Sequence, residues 1–127
     1  MRYELIDQVL ERDADRVVAV KNVTLAEEYL ADHFPTFPVL PGVLMLEAMV
    51  AAARRVLDGP LGPWVVAEVR NVRYGNMVRP GQQLRVTVER IKTDGDRHTF
   101  KGTGEVAGDV AVQGRFVMRP ADGGTRQ

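Results

Sequence analysis

Hydrophobic and polar positions follow two different periods along this chain, and the changes between them mark its elements. "RVVAV" at 16–20, continued to Val23, is rich in β-branched residues and predicts a strand. "TLAEEYLADHF" then sets Leu25, Tyr29 and Leu30 on one side of a short helix, with Thr24 and Glu27 spaced as a capping box. Pro35, Pro38 and Pro41 follow at three-residue intervals. Residues before proline are held out of the α region, so "HFPTFPVLP" reads as a stiff, extended strap. Pro41 suits the first turn of a helix, and "PGVLMLEAMVAAARRVLDG" continues it until Asp58-Gly59-Pro60. From Val43 to Ala53 that helix is apolar on nearly every face except at Glu47, the pattern of a buried helix.

Beyond it, "PWVVAEVRNVRY", "QLRVTVERIKT", "RHTFKGTGEVAG" and "DVAVQGRFVMRP" are four strand-like runs. The turn signals "RPGQ", "TDGD" and "AGD" separate them. Val86, Val88 and Ile91, and likewise Val110, Val112 and Phe116, have the half-buried character of antiparallel strands. The order strand, short helix, long helix, four strands predicts an α+β fold, one curled antiparallel sheet around one central helix. The expectation is a single domain over 1–120 and a flexible C-terminal tail over 121–127, "ADGGTRQ".

Composition narrows the chemistry. Seventeen basic and seventeen acidic residues cancel, which argues against broad electrostatic binding to nucleic acid. The chain has no cysteine and no serine, so disulfides, thiolate metal sites, cysteine nucleophiles and serine-hydrolase triads are excluded. No apolar signal core opens the sequence, and the longest apolar run, Gly42 to Ala53, is too short to span a bilayer. The expected location is the cytoplasm, without membrane insertion.

Two residues stand out against this background, His33 before the prolines and Glu47 inside the apolar helix. Glu47 reads in two ways. It lies on a locally exposed strip, paired with Arg54 or another arginine, or it is a carboxylate kept in an apolar cavity to handle protons. A lone histidine is more often structural, but a stiff strap can hold an imidazole in place. Gly42, in the first helical turn, offers unpaired N–H groups at the positive end of the helix dipole, where a carbonyl oxygen gaining charge can be received. The plainer reading of Gly42 is a tight loop-to-helix junction. Imidazole, carboxyl and oxyanion site together suit proton removal beside a carbonyl with proton delivery to a leaving group, that is, β-elimination of water or its reverse. His98 reads as part of a solvated strand face and Trp64 as core or interface. Two histidines this far apart, without metal-ligand spacing, predict no metal site.

"HFPTFPVLPGVLMLEAM" resembles the signature of the β-hydroxyacyl-acyl-carrier-protein dehydratases of the hot-dog fold, the FabZ type. That family reads His-Phe-Pro-Gly-x-Pro-x-x-Pro-Gly-Val-Leu-x-Leu-Glu-Ala-x-Ala-Gln. The histidine, the prolines, the Pro-Gly pair and the glutamate keep their spacing, and "RYGNMVRPGQQL" is similar to the family's later Val-x-Pro-Gly-Asp-x-Leu segment. The likeness runs from about Val17 to Met118 and is diagnostic in the proline–helix segment. It implies a long helix wrapped by an antiparallel sheet, with His33 taking the α-proton and Glu47 protonating the departing β-hydroxyl. It also implies substrate contacts at Pro41, Gly42 and Val43, and a tunnel-mouth aromatic at Tyr74. The implied substrate rides on the phosphopantetheine of acyl carrier protein, with no other cofactor. The implied assembly is a homodimer with shared active sites, or a trimer of such dimers.

Asp32 and Thr36 replace family glycines, Ala51 replaces a glutamine, and Gly75 and Asn76 replace a basic pair, leaving Arg73 and Arg79 as docking candidates. A hot-dog acyl thioesterase and a non-catalytic acyl-binding relative are the competing functions. Thioesterases of that fold do not usually carry His-Phe-Pro, and an inert relative has no evident need of Glu47.

Overall fold

The computed structural model describes residues 6–23, 42–57 and 63–121. Six strands and one helix occur there, in the order β1 (Gln8–Arg12), β2 (Arg16–Asn22), α1 (Gly42–Val56), β3 (Trp64–Tyr74), β4 (Gln83–Asp94), β5 (Arg97–Val106) and β6 (Asp109–Pro120). The expected short helix over 24–34 and the proline strap lie outside the described residues, as does the chain beyond Ala121.

All six strands join one antiparallel sheet in the order β1-β2-β4-β5-β6-β3. α1 lies across its inner face, packed mainly on β4 and β2 and less on β5. This is the hot-dog arrangement, and it matches the fold class expected from the pattern. Met45, Ala48, Met49, Ala52 and Ala53 of α1 are buried against Leu84, Val86, Val88, Phe100 and Phe116 of the sheet. Each large side chain buried this way contributes roughly 1.5–3 kcal/mol. Phe100 and Phe116 stack with centroids 5.7 Å apart. A Cβ on Gly102 would come within 2.7 Å of Met49 Sδ, so the missing side chain is what lets the helix sit close to β5.

Strand pairing corrects three sequence expectations. Alternation from Val86 and Val88 puts Arg90, opposite Phe100, on the inner side, and Ile91, the extra residue of a bulge between Arg90 and Lys92, is 45% exposed instead of half-buried. Arg90 is held there by Asp15 Oδ1 at 2.9 Å and the Ala14 carbonyl at 2.7 Å. A register shift at Gly104/Glu105 leaves Val110 39% exposed. β1 was not expected at all. "QVLER" has only Val9 half-buried, and the segment is a strand because β2 supplies it with a backbone ladder.

Candidate functional site

α1 starts at Gly42, with no acidic residue in its first turn, and ends with Arg54 and Arg55 in its last turn. The cations therefore offset the negative end of the dipole, while the positive end at Gly42 carries no opposing charge of its own helix. Arg54 Nε also donates to the Trp64 carbonyl at 3.1 Å, tying the end of α1 to the start of β3.

Glu47 lies one and a half turns into α1. The sequence pattern leaves it either buried or on an exposed strip, and the single chain has it exposed. No hydrogen bond or ion pair holds it among the described residues, and Arg54 is engaged with Trp64 instead. The expectation of a helix buried all round is thus corrected. The sheet covers one side of α1, whereas Glu47, Arg54 and Arg55 are exposed and Leu44, Leu46 and Ala51 only half-buried. An unpaired carboxylate ringed by half-covered apolar side chains can exchange a proton with whatever occupies that side of the helix.

Tyr74 closes the other side of the helix start. A Cβ built on Gly42 would lie 2.9 Å from Tyr74 Cε1, so the ring rests directly over the bare backbone of the first turn. The ring is 52% exposed. Of the expected site residues, the structure brings Gly42 and Tyr74 together. It places Val43 in the same first turn and Glu47 farther along α1. His33 and Pro41 lie outside the described residues.

Gly75 is a residue whose role the sequence did not disclose. Its Cβ would fall 2.4 Å from the Val110 carbonyl oxygen, and its N–H donates to the Ala111 carbonyl at 2.9 Å. The absence of a basic residue here is therefore a packing requirement of this chain. The only sequence signal was the departure from the family pattern. The neighbouring Asn76 N–H donates to the Val110 carbonyl at 2.9 Å, so the segment after Tyr74 is pinned to the start of β6.

His98 also differs from expectation. It is half-buried on the inner side of β5, edge-on to the Trp64 ring with centroids 5.2 Å apart, and not on a solvated face. Its Nδ1 lies 3.3 Å from both Arg90 Nη1 and Thr93 Oγ1. Burial, and then the charge of Arg90, hold its pKa below the usual histidine value. Trp64 is buried as expected.

Comparison with known proteins agrees with these features. The model of the ApeI-like family, described as ApeI dehydratase, matches residues 9–115. The 3-hydroxyacyl-[acyl-carrier-protein] dehydratase FabZ of Oceanobacillus iheyensis is 39% identical over 121 residues, covering 90% of this chain and 85% of that protein. The FabZ of Granulibacter bethesdensis is 33% identical over 127 residues, covering 92% and 75%. Among solved structures, the dehydratase heterocomplex ApeI:P from Xenorhabdus doucetiae superposes with a TM-score of 0.73 at 19% identity, covering 92% of this chain and 82% of that one. The fluoroacetyl-CoA-specific thioesterase FlK superposes with a TM-score of 0.68 at 17% identity, covering 86% and 87%. The fold is therefore shared with a thioesterase and does not by itself select the reaction. Sequence does, and on it the chain belongs to the FabZ and ApeI-like dehydratase family.

Proposed function

We propose that this protein dehydrates 3-hydroxyacyl thioesters carried on acyl carrier protein to trans-2-enoyl thioesters, in fatty acid or specialised lipid synthesis. The observation that carries the reading is identity of 33–39% over nine-tenths of the chain to dehydratases of that substrate class. In the proposed mechanism the His33 imidazole removes the proton at C2, and the electron pair forms the C2=C3 bond as the C3–O bond breaks. Glu47, in its acid form, protonates the departing hydroxyl to water. Backbone N–H groups at Gly42 and Val43 receive the thioester oxygen as it gains charge, and Pro41 fixes the start of that turn. Tyr74, lying over Gly42, borders the substrate channel. The chemistry calls on no cofactor beyond the carrier's phosphopantetheine arm.

The homodimer belongs to the same proposal. β3 is an eleven-residue strand at the sheet edge, without a strand partner on its outer side among the described residues, and Val69 is 42% exposed. Pairing with its own copy would satisfy that edge and cover the open side of α1. The exposure of Glu47 in the single chain supports a site completed by a second subunit, which would contribute His33. Further assembly into a trimer of dimers, and a cytoplasmic setting, extend the same reading. Among the described residues no helix is long and apolar enough to cross a membrane.

Hydration of a crotonyl thioester, on coenzyme A and on carrier protein, tests the proposal through loss of enone absorbance. His33→Ala and Glu47→Gln should each remain folded and lose about 10²–10⁴-fold in turnover. A folded wild type that is inert on both carriers at several chain lengths, or that releases free thiol instead, would overturn it; thiol release would point to the thioesterase.

A further inference from the structure

The face of the sheet turned away from α1 concentrates positive charge that the balanced composition hides. Strand alternation puts Phe100, Gly102 and Phe116 under the helix and sends Lys101 and Arg115 the other way. On one rung Arg70 of β3 stands opposite Arg115 of β6, which stands opposite Lys101 of β5. Arg73 follows, opposite Gln113. A groove of about 500 Å³ opens between Asn71, Arg73, Lys101, Gln113 and Arg115.

Like charges directly opposite each other across strands destabilise a sheet, so this rung works against folding. The acids nearby offset it only at Arg70. Glu68 is bonded to Arg70, whose guanidinium holds that carboxylate below its usual range, and also lies 4.0 Å from Arg97. Glu89 stands opposite Lys101 without an ion pair. Arg73, Lys101 and Arg115 have no acidic partner among the described residues.

The chemistry of the face selects among occupants. A second copy in a two-fold contact would set these cations against themselves. A lipid surface requires several apolar anchors among the cations; Ile91, beside Arg70 and Arg115, is a single one, and the groove itself holds the amides of Asn71 and Gln113. Single-stranded nucleic acid requires exposed aromatic rings, and the groove has none. We propose that this outer face, centred on Lys101 and Arg115, is a docking surface for an acidic protein partner. It lies on the opposite side of the sheet from α1 and Glu47, so an occupant there leaves the proposed active site open.

Arg115→Glu tests this, because it turns two like-charge pairs, with Arg70 and with Lys101, into opposite-charge pairs. The variant should gain a few degrees in Tm and keep wild-type turnover on crotonyl thioester. Meanwhile its affinity for a fluorescent poly-L-glutamate peptide, measured by anisotropy at low salt, should fall roughly tenfold or more. Wild-type binding should weaken with added salt. Three results would overturn the proposal: wild type that does not bind the peptide, a variant that binds it equally well, or a variant with lower Tm, which would make Arg115 merely structural. Tighter binding of tripolyphosphate or duplex DNA than of the peptide would likewise replace the acidic protein with a small phosphoanion or a nucleic acid.

Discussion

Gly42 and Gly75 both lack room for a side chain, yet their neighbours differ in how far they can give way. At Gly42 the obstacle is the end of the Tyr74 ring, which is half exposed and can swing aside. At Gly75 it is the backbone carbonyl of Val110, held in place by the Asn76 N–H. Gly42→Ala should therefore leave thermal stability near the wild type, since alanine also favours the helix by about 0.5–1 kcal/mol. Its turnover should drop through the displaced ring, and the second substitution Tyr74→Ala should recover part of the loss if ring displacement is the cause. Gly75→Ala should cost about 1–3 kcal/mol in urea unfolding. Equal stability losses at the two positions would contradict this distinction. Gly42 was legible in the Pro-Gly pair ahead of the helix. The constraint on Gly75 was not, because its obstacle comes from a strand far along the chain.

Among the elements, the strands β2 to β6 and the helix stood out in the sequence because each carries its own period and punctuation. "PGVLMLEAM" opens α1, and "TDGD" and "AGD" mark the two tight hairpins. The slips within them were not legible. Val110 keeps the residue type of a buried position, and the pairing register turns it outward, whereas Ile91 falls on the outer side by its odd offset from Val88, at a bulge. The hairpin between β5 and β6 turns through Ala107 and Gly108, both with positive φ, at 52° and 86°. Glycine adopts that geometry freely, but for alanine it costs about 1–2 kcal/mol. Ala107→Asn should accordingly raise stability by about 0.5–1 kcal/mol in thermal or urea unfolding. A loss of stability would show that the methyl group of Ala107 does more than tolerate the turn.

At the scale of the whole molecule, folding assembles a titrating contact from three elements. His98 of β5 is enclosed by Trp64 of β3 and by Arg90 and Thr93 of β4. The guanidinium N–H groups of Arg90 can only donate, so Nδ1 of His98 accepts and the ring is held neutral. Its folded pKa lies below the ordinary 6.5, so the unfolded chain takes up a proton first. The stabilising effect of the neutral ring is complete above about 6.5 and is lost as pH falls from there toward the folded pKa. The wild-type Tm should therefore decline from pH 7 to pH 5 more steeply than that of His98→Gln, whose amide oxygen can still accept from Arg90. Parallel Tm profiles would remove His98 as the source.

The sequence by itself determined the order of β2, α1 and β3 to β6, the α+β class and the family, because hydrophobic period, turn residues and the spacing of His33 and Glu47 are local properties of the chain. Tertiary structure alone decided which side of each element meets the core and which remains open. Hydrophobicity written along α1 makes every face look buried, but one sheet covers only one side of a helix, so Glu47 stays at the surface. For the same reason seventeen cations and seventeen anions cancel in composition while Arg70, Lys101 and Arg115 line up on one rung. Charge balance is a sum over the chain, whereas the local field depends on strand pairing, and pairing is set between residues that the sequence keeps far apart.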